Sequence, residues 1–138
     1  MNKVLIFLAV IAIGITIILY MGNKDSAIQT KYDVTLEKAK ELSENPSIII
    51  LDVRSKSDLP TGRLHNAINI DVKQLEFQEA LHKLDKKREY LVYCNLGRRS
   101  AQAIQEMERA GFTKLYHMKD GIVKWKKAGF PIDMPMQP

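Results

Sequence analysis

A chain of 138 residues with a net charge of +5 is long enough for one domain and too short for two. Its single cysteine excludes an intramolecular disulfide and any thiolate-rich zinc or iron–sulfur centre. The basic residues are scattered with no aromatic platform between them, so the chain lacks a nucleic-acid-binding pattern and no nucleic-acid partner is expected.

The chain opens on an apolar run. From Val4 to Met21 no residue is charged, and the 18 residues match the thickness of a bilayer's hydrocarbon core. No polar face interrupts them, which argues against a buried helix of a soluble core. The exit Leu19-Tyr20-Met21-Gly22 is a poor signal-peptidase site. A single-pass anchor over residues 1–22, contacting the membrane through residues 4–21, is therefore expected in preference to a cleaved signal. Lys3 before the run resembles the basic start of an export signal and inclines the domain to the extracytoplasmic side. Lys24 and Lys31 beyond the run pull the other way, and the side stays open. Removing the anchor removes one cation and leaves +4 on the rest, a mild preference for anionic partners.

Residues 23–33 are polar and read as a linker to a domain over 34–138. Thr35 is suited to cap a helix reaching about Asn45, and Pro46 stops it. Ser47 to Val53 is a β-branched, nearly continuous apolar run, the pattern of a strand buried on both faces. Pro60-Thr61-Gly62 marks a turn, and Ala67 to Ile70 a short strand. Val72 to Leu84 reads as an amphipathic helix with Leu75, Ala80, Leu81 and Leu84 inward. Tyr90 to Tyr93 is a strand, Ser100 to Ala110 a helix ended by Gly111, Lys114 to His117 a strand, and Gly121 to Trp125 a last helical turn. Alternating strands and helices imply an open parallel sheet with helices on both faces.

Two apolar strands end in polar residues, Asp52 and Cys94, and sites in open α/β sheets form at the carboxyl ends of strands. Asp52 and Arg54 are two apart, so a continuing strand projects both from one face. They read as buttresses of the neighbouring loop. Cys94 precedes Asn95-Leu96-Gly97-Arg98-Arg99-Ser100, a short loop opening a helix. Gly97 allows the curl, and successive amides of a curled loop and helix start form an anion-binding concavity. Arg98 and Arg99 are unfavourable at a helix N-terminus unless an anion lies there. A thiol in that setting is driven towards thiolate, the nucleophilic form. Four residues lie between Cys94 and Arg99, which makes the enclosed anion small; the wider loop with five is the one associated with phosphate. His65, His82 and His117 have no metal-ligand spacing and read as surface or core residues. Tyr93 and Trp125 read as core.

The motif set resembles the rhodanese family of sulfurtransferases over roughly Thr35 to Pro131. Leu51-Asp52-Val53-Arg54 is similar to the family's first strand motif, and Cys94, Gly97, Arg99 and Ser100 to its active-site loop. The segments from Ala110 to Tyr116 and from Gly121 to Trp125 are similar to its closing segments. Asp58 stands where the family usually has an acidic residue. The departures are Arg63, where a His is usual, and Asn66, where a Gly is usual; Asn tolerates left-handed torsions better than most residues.

The resemblance implies a rhodanese-like α/β sheet and a two-step transfer through a Cys94 persulfide, with covalent, ping-pong character. It implies that Asn95, Leu96, Gly97, Arg98, Arg99 and Ser100 bind the substrate, with Asp52, Arg54 and Asp58 in support and no cofactor or metal. The partners it implies are a small anionic sulfur donor such as thiosulfate and a thiophilic acceptor, a small molecule or a protein. Two alternatives remain. One is a tethered redox-sensing or sulfur-relay module using Cys94. The other is a cysteine phosphatase or arsenate reductase, against which the four-residue interval argues.

Overall fold

The computed structural model describes residues 2–22 and 28–135. The domain is built on four parallel strands: β1 (Ile48–Asp52), β2 (Ile68–Asn69), β3 (Glu89–Tyr93) and β4 (Leu115–His117), in the order β2-β1-β3-β4. The first and third strands share the longest register, from Ile48 opposite Glu89 to Asp52 opposite Tyr93. Nearly every residue of both is buried, as their unbroken apolar runs require of central parallel strands.

Helices cover both faces. On one, α3 (Phe77–His82) and α4 (Arg98–Arg109) pack Phe77, Leu81, Ile104 and Met107 against Leu51, Val53, Tyr90 and Val92. On the other, α2 (Leu36–Ser43) and α5 (Gly121–Lys127) pack Leu42, Ile122 and Trp125 against Ile48, Ile50, Leu91 and Tyr93. Thr35 caps α2 as expected, its hydroxyl accepting from the Lys38 amide at 3.2 Å. Gly111, at φ +95°, ends α4. Asn66, where the resemblance expects a Gly, takes the left-handed conformation, φ 58°.

The segment after β2 departs from the pattern. The helix expected over 72–84 is confined to Phe77–His82, and Leu75, expected inward, is 95% exposed. Asp71 is the cause. Its carboxylate accepts from the Lys73 amide at 2.9 Å and bonds the Gln74 side chain, which commits residues 72–76 to turns. Phe77 takes the buried place instead. The turn expected at Pro60 belongs to a 3₁₀ helix, Lys56–Thr61, closed by Gly62 at φ 98°.

At the N-terminus α1 spans Lys3–Gly22. Its side chains are described through Ile18, and Val4, Leu5, Phe7, Leu8, Val10, Ile13 and Ile18 are all exposed. Among the described residues no helix is long and apolar enough to cross a membrane, so the expected anchor is not shown. The far end of the 4–21 run and residues 23–27 of the 23–33 linker lie outside the described side chains. The linker's last residues, Thr30 to Asp33, are tied to the sheet: Asp33 forms a parallel bridge with His117 beside β4.

Candidate functional site

The strands β1 and β3 end side by side, and their carboxyl ends carry the charged and nucleophilic residues. At the end of β1, Asp52 and Arg54 are fully buried and paired, Arg54 Nη2 to Asp52 Oδ2 at 2.7 Å and Nε to Oδ1 at 2.9 Å. Tyr93 Oη donates to the same carboxylate at 2.8 Å and accepts from the Leu64 amide at 3.1 Å. Burial, reinforced by the Asp52 charge, pushes the Tyr93 phenol far above its ordinary pKa, so it stays a donor. Burial opposes the Arg54 charge, but its bonds to Asp52 prevail and raise the pKa.

Arg54 also reaches the loop. Its Nη1 donates to Asn95 Oδ1 at 3.2 Å and its Nη2 to the Gly62 carbonyl at 2.9 Å. Asn95 in turn donates from Nδ2 to Asp58 at 3.1 Å, and Asp58 accepts from Arg99 Nη1 at 2.8 Å. Burial works against the Asp58 charge, yet the Arg99 and Asn95 hydrogen bonds outweigh it and hold the carboxyl below its ordinary value. Every supporting residue named from the sequence thus lies within a bond or two of the Cys94 loop.

The loop itself is clamped by two glycines. Gly97, at φ +90°, presses on the Lys119 carbonyl so closely that an added Cβ would lie 2.0 Å from that oxygen. Gly121, at φ +71°, meets the Asn95 carbonyl in the same way, at 2.0 Å. The Ile122 amide bonds the Cys94 carbonyl at 2.9 Å, fixing the loop to the start of α5. Side chains are excluded at both crossings, so the start of α5 and the Cys94 loop share one backbone interface.

Cys94 is 2% exposed, and its Sγ accepts from the Gly97 amide at 3.1 Å, with Ser100 Oγ at 3.4 Å. Above it opens a cleft of about 460 Å³ lined by Ser55, Ser57, Asp58, Lys73, Leu96, Arg98 and Arg99. Of the loop amides from Asn95 to Ser100, that of Gly97 bonds the Cys94 sulfur itself. Arg98 is exposed at the mouth, whereas Arg99 is partly buried and committed to Asp58. Helix α4 starts at Arg98, two residues earlier than expected, which puts both guanidinium groups in its first turn. An anion in the cleft meets a helix N-terminus, two arginines and a lysine above the Cys94 sulfur.

Three groups escaped the sequence reading. The Tyr93 hydroxyl is one. The others are His117, buried behind Ser100 and hydrogen-bonded to it, and the partly buried Asp33, bonded in turn to His117. His117 closes β4, at the same sheet edge as Asp52 and Cys94, and that position was the available signal. Among the described residues no cluster of His, Cys, Asp and Glu is arranged to hold a metal ion.

Residues 35–128 match the family described as Rhodanese-like domain. A sulfurtransferase from Allochromatium vinosum is 23% identical over 97 residues, covering 70% of this chain and 89% of that protein. The thiosulfate sulfurtransferase GlpE of Coxiella burnetii is 33% identical over 89 residues, 64% of this chain and 81% of its own length. The crystal structure of a rhodanese-related protein from Thermoplasma volcanium superimposes with a TM-score of 0.66 at 27% identity, over 74% of this chain and 97% of that one. Other relatives are longer, and the chain spans 24% to 58% of them.

Proposed function

The chain belongs to the rhodanese-like domain family, and from that premise we propose that it moves sulfane sulfur from a small anionic donor of the thiosulfate type to a thiophilic acceptor. The observation that carries this reading is Cys94 at the floor of a basic cleft, its Sγ bonded by the Gly97 amide. In the first step the thiolate attacks the outer sulfur of the donor. The bond from Cys94 Sγ to that sulfur forms, the donor's own sulfur–sulfur bond breaks, and sulfite leaves with the electron pair. In the second step a thiolate acceptor attacks the outer sulfur and Cys94 leaves as thiolate, so no net oxidation occurs.

The negative charge stays on sulfur throughout, which is where the Gly97 amide, Ser100 hydroxyl and helix start point. Arg98 and Lys73 draw the anionic donor in. Arg99, fixed by Asp58, presents a second guanidinium, and Asn95, braced by Arg54, holds the loop backbone. Leu96, 63% exposed on the loop, offers an apolar rim to an acceptor.

Residues 4–21 are assigned to a bilayer as a single-pass anchor. Their 18 uncharged residues and the uncovered apolar side chains of α1 through Ile18 support this. The resemblance of the N-terminus to an export signal inclines the reading to an extracytoplasmic domain, while Lys24 and Lys31 beyond the run pull the other way.

The test is intact mass spectrometry of the full chain in detergent, reduced, desalted and incubated with thiosulfate. One added sulfur atom is expected in the parent and none in Cys94→Ser. No addition in the parent rejects a thiosulfate-fed persulfide. Turnover of an aryl phosphate without sulfur uptake would favour phosphate chemistry. Reaction with peroxide but not thiosulfate would favour a sensor.

A further inference from the structure

Behind Cys94 and Ser100 lie two polar groups, His117 and Asp33, that the sulfur-transfer steps leave unused. Ser100 Oγ lies 3.4 Å from Cys94 Sγ and 2.8 Å from His117 Nε2, and His117 Nδ1 lies 2.7 Å from Asp33 Oδ1. Ser100 and His117 are both 0% exposed, and the Asp33 side chain is 14% exposed. The Thr30 amide and hydroxyl also bond Asp33 Oδ1, at 3.1 and 2.7 Å. Four elements contribute: the segment before α2, the start of α4, the end of β4 and the residue after β3. No turn or cap requires a histidine here.

Proton bookkeeping fixes the roles. Burial works against the Asp33 charge, but the Thr30 and His117 hydrogen bonds outweigh it and hold the carboxyl below its ordinary value. An ionised carboxylate only accepts, so His117 Nδ1 carries a proton. Nε2 is then the one ring position free to gain or lose a proton, and it faces Ser100. Ser100 has one hydrogen to give and two lone pairs. With neutral His117 it donates to Nε2 at 2.8 Å in preference to the Gly97 carbonyl at 3.1 Å, and its oxygen accepts from the Cys94 S–H.

We propose that Asp33 and His117 act through Ser100 as the buried base that deprotonates Cys94. The thiol proton passes to Ser100 Oγ as the Ser100 proton passes to Nε2. A neutral pair becomes a thiolate and an imidazolium, with charge and protons conserved. The hydroxyl then donates back to the sulfur, and Asp33 neutralises the ring cation. The same arrangement supplies a counter-charge while the persulfide stands on Cys94. Ser100 touches the reacting sulfur; His117 and Asp33 are positioning residues. This deepens the sulfur-transfer reading and rests on it for its purpose.

The readout is the pH dependence of iodoacetamide alkylation at Cys94, the only cysteine, in the full chain in detergent. The other charged groups facing the sulfur are Arg98 and Arg99 of α4, Asp58 of the 3₁₀ helix and Lys73 after β2, with the Asp52–Arg54 pair behind Asn95. All are unchanged across the variants. In His117→Gln the amide occupies the Nε2 position but cannot take up a proton. Its profile midpoint is expected to rise by about one pH unit, which is about tenfold slower alkylation on the acid limb. Asp33→Asn moves it the same way by less. An unchanged midpoint in both folded variants overturns the relay, even if their melting temperatures fall.

The parent chain supplies a check independent of variant folding. With the exposed His65 and His82 changed to Gln, ¹⁵N signals report His117 alone. The imidazolium form is expected in the reduced chain and lost when Cys94 is capped; no change on capping overturns the relay. Sulfur uptake tests the transfer reading separately, so a chain that takes up sulfur with unaltered alkylation profiles loses only the relay.

Discussion

The ends of β1 and β3 sit side by side at one edge of the sheet, and they are built in opposite ways. At the end of β1 a full ion pair is buried, and every charged atom has a partner. Asp52 accepts from the Arg54 backbone, its guanidinium and the Tyr93 hydroxyl, while Arg54 also bonds Gly62 and Asn95. At the end of β3 the sulfur of Cys94, nearly fully buried, has one amide and one hydroxyl and lines the floor of a cleft. The saturated end holds shape and the unsaturated end is left free to bond something else. Chemistry needs both, because an anion site is only as good as the backbone that keeps its donors in place.

Breaking the saturated end has the largest effect on stability. Arg54→Met leaves a buried, unpaired Asp52 carboxylate, at a cost of about 3–5 kcal/mol. Removing both charges in Asp52→Asn/Arg54→Met is expected to recover much of that loss. Denaturant titration of the two variants reads this directly. A double variant as unstable as the single one would mean that geometry, not uncompensated charge, dominates.

Next comes the clamp between the loop and α5. Gly97→Ala puts a Cβ against the Lys119 carbonyl in a backbone region that L side chains avoid. The loop must shift. A displacement near 1 Å at the sulfur is expected to cost about 10²-fold in sulfur-transfer rate. Single-turnover measurement checks this, and a near-parental rate would show that the loop relaxes without moving Cys94.

Asp52, Arg54 and Cys94 were legible in the sequence because apolar strands ending in polar residues mark an edge without reference to the rest of the fold. The Asp33–His117–Ser100 chain was not. Asp33 and His117 lie 84 positions apart in sequence, and a single histidine in an apolar segment looks like ordinary core. Nothing local distinguishes a polar stretch before a helix from one that docks onto the last strand. The error at Leu75 has a different origin. Apolar spacing there predicts a helix, whereas Asp71 bonds the Lys73 amide and sets the following residues in turns. Local side-chain-to-backbone bonds override periodicity over so short a segment.

The ion pair of Asp58 with Arg99 joins the two ends, and its effect is smaller because both side chains are partly exposed. Asp58→Asn is expected to cost about 1 kcal/mol at neutral pH. Since folding lowers the Asp58 pKa, its contribution is present above the unfolded value and lost as pH falls through the folded one. The stability gap between parent and variant should therefore be constant near neutrality and close below the ordinary carboxylate value of 3.8. A gap that persists in strong acid would assign the loss to the Asn95 hydrogen bond instead.

The smallest effect on the fold, and the most specific to the open end, belongs to Arg98. It is exposed at the first position of α4 and has no ion pair among the described residues. Its charge sits beside the helix start without a carboxylate to balance it, a position that favours the structure only when an anion is bound. Arg98→Ala should leave stability within about 0.5 kcal/mol. It should raise KM for an anionic donor several-fold, on the order of 1 kcal/mol, with kcat little changed, because the attraction acts on donor and transition state alike. High salt should shrink the difference, since an exposed charge is screened within about 10 Å at 0.1 M. A fall in kcat with KM unchanged would instead mean that Arg98 bonds the departing sulfite, making the rim of the cleft part of the chemistry and not only its entrance.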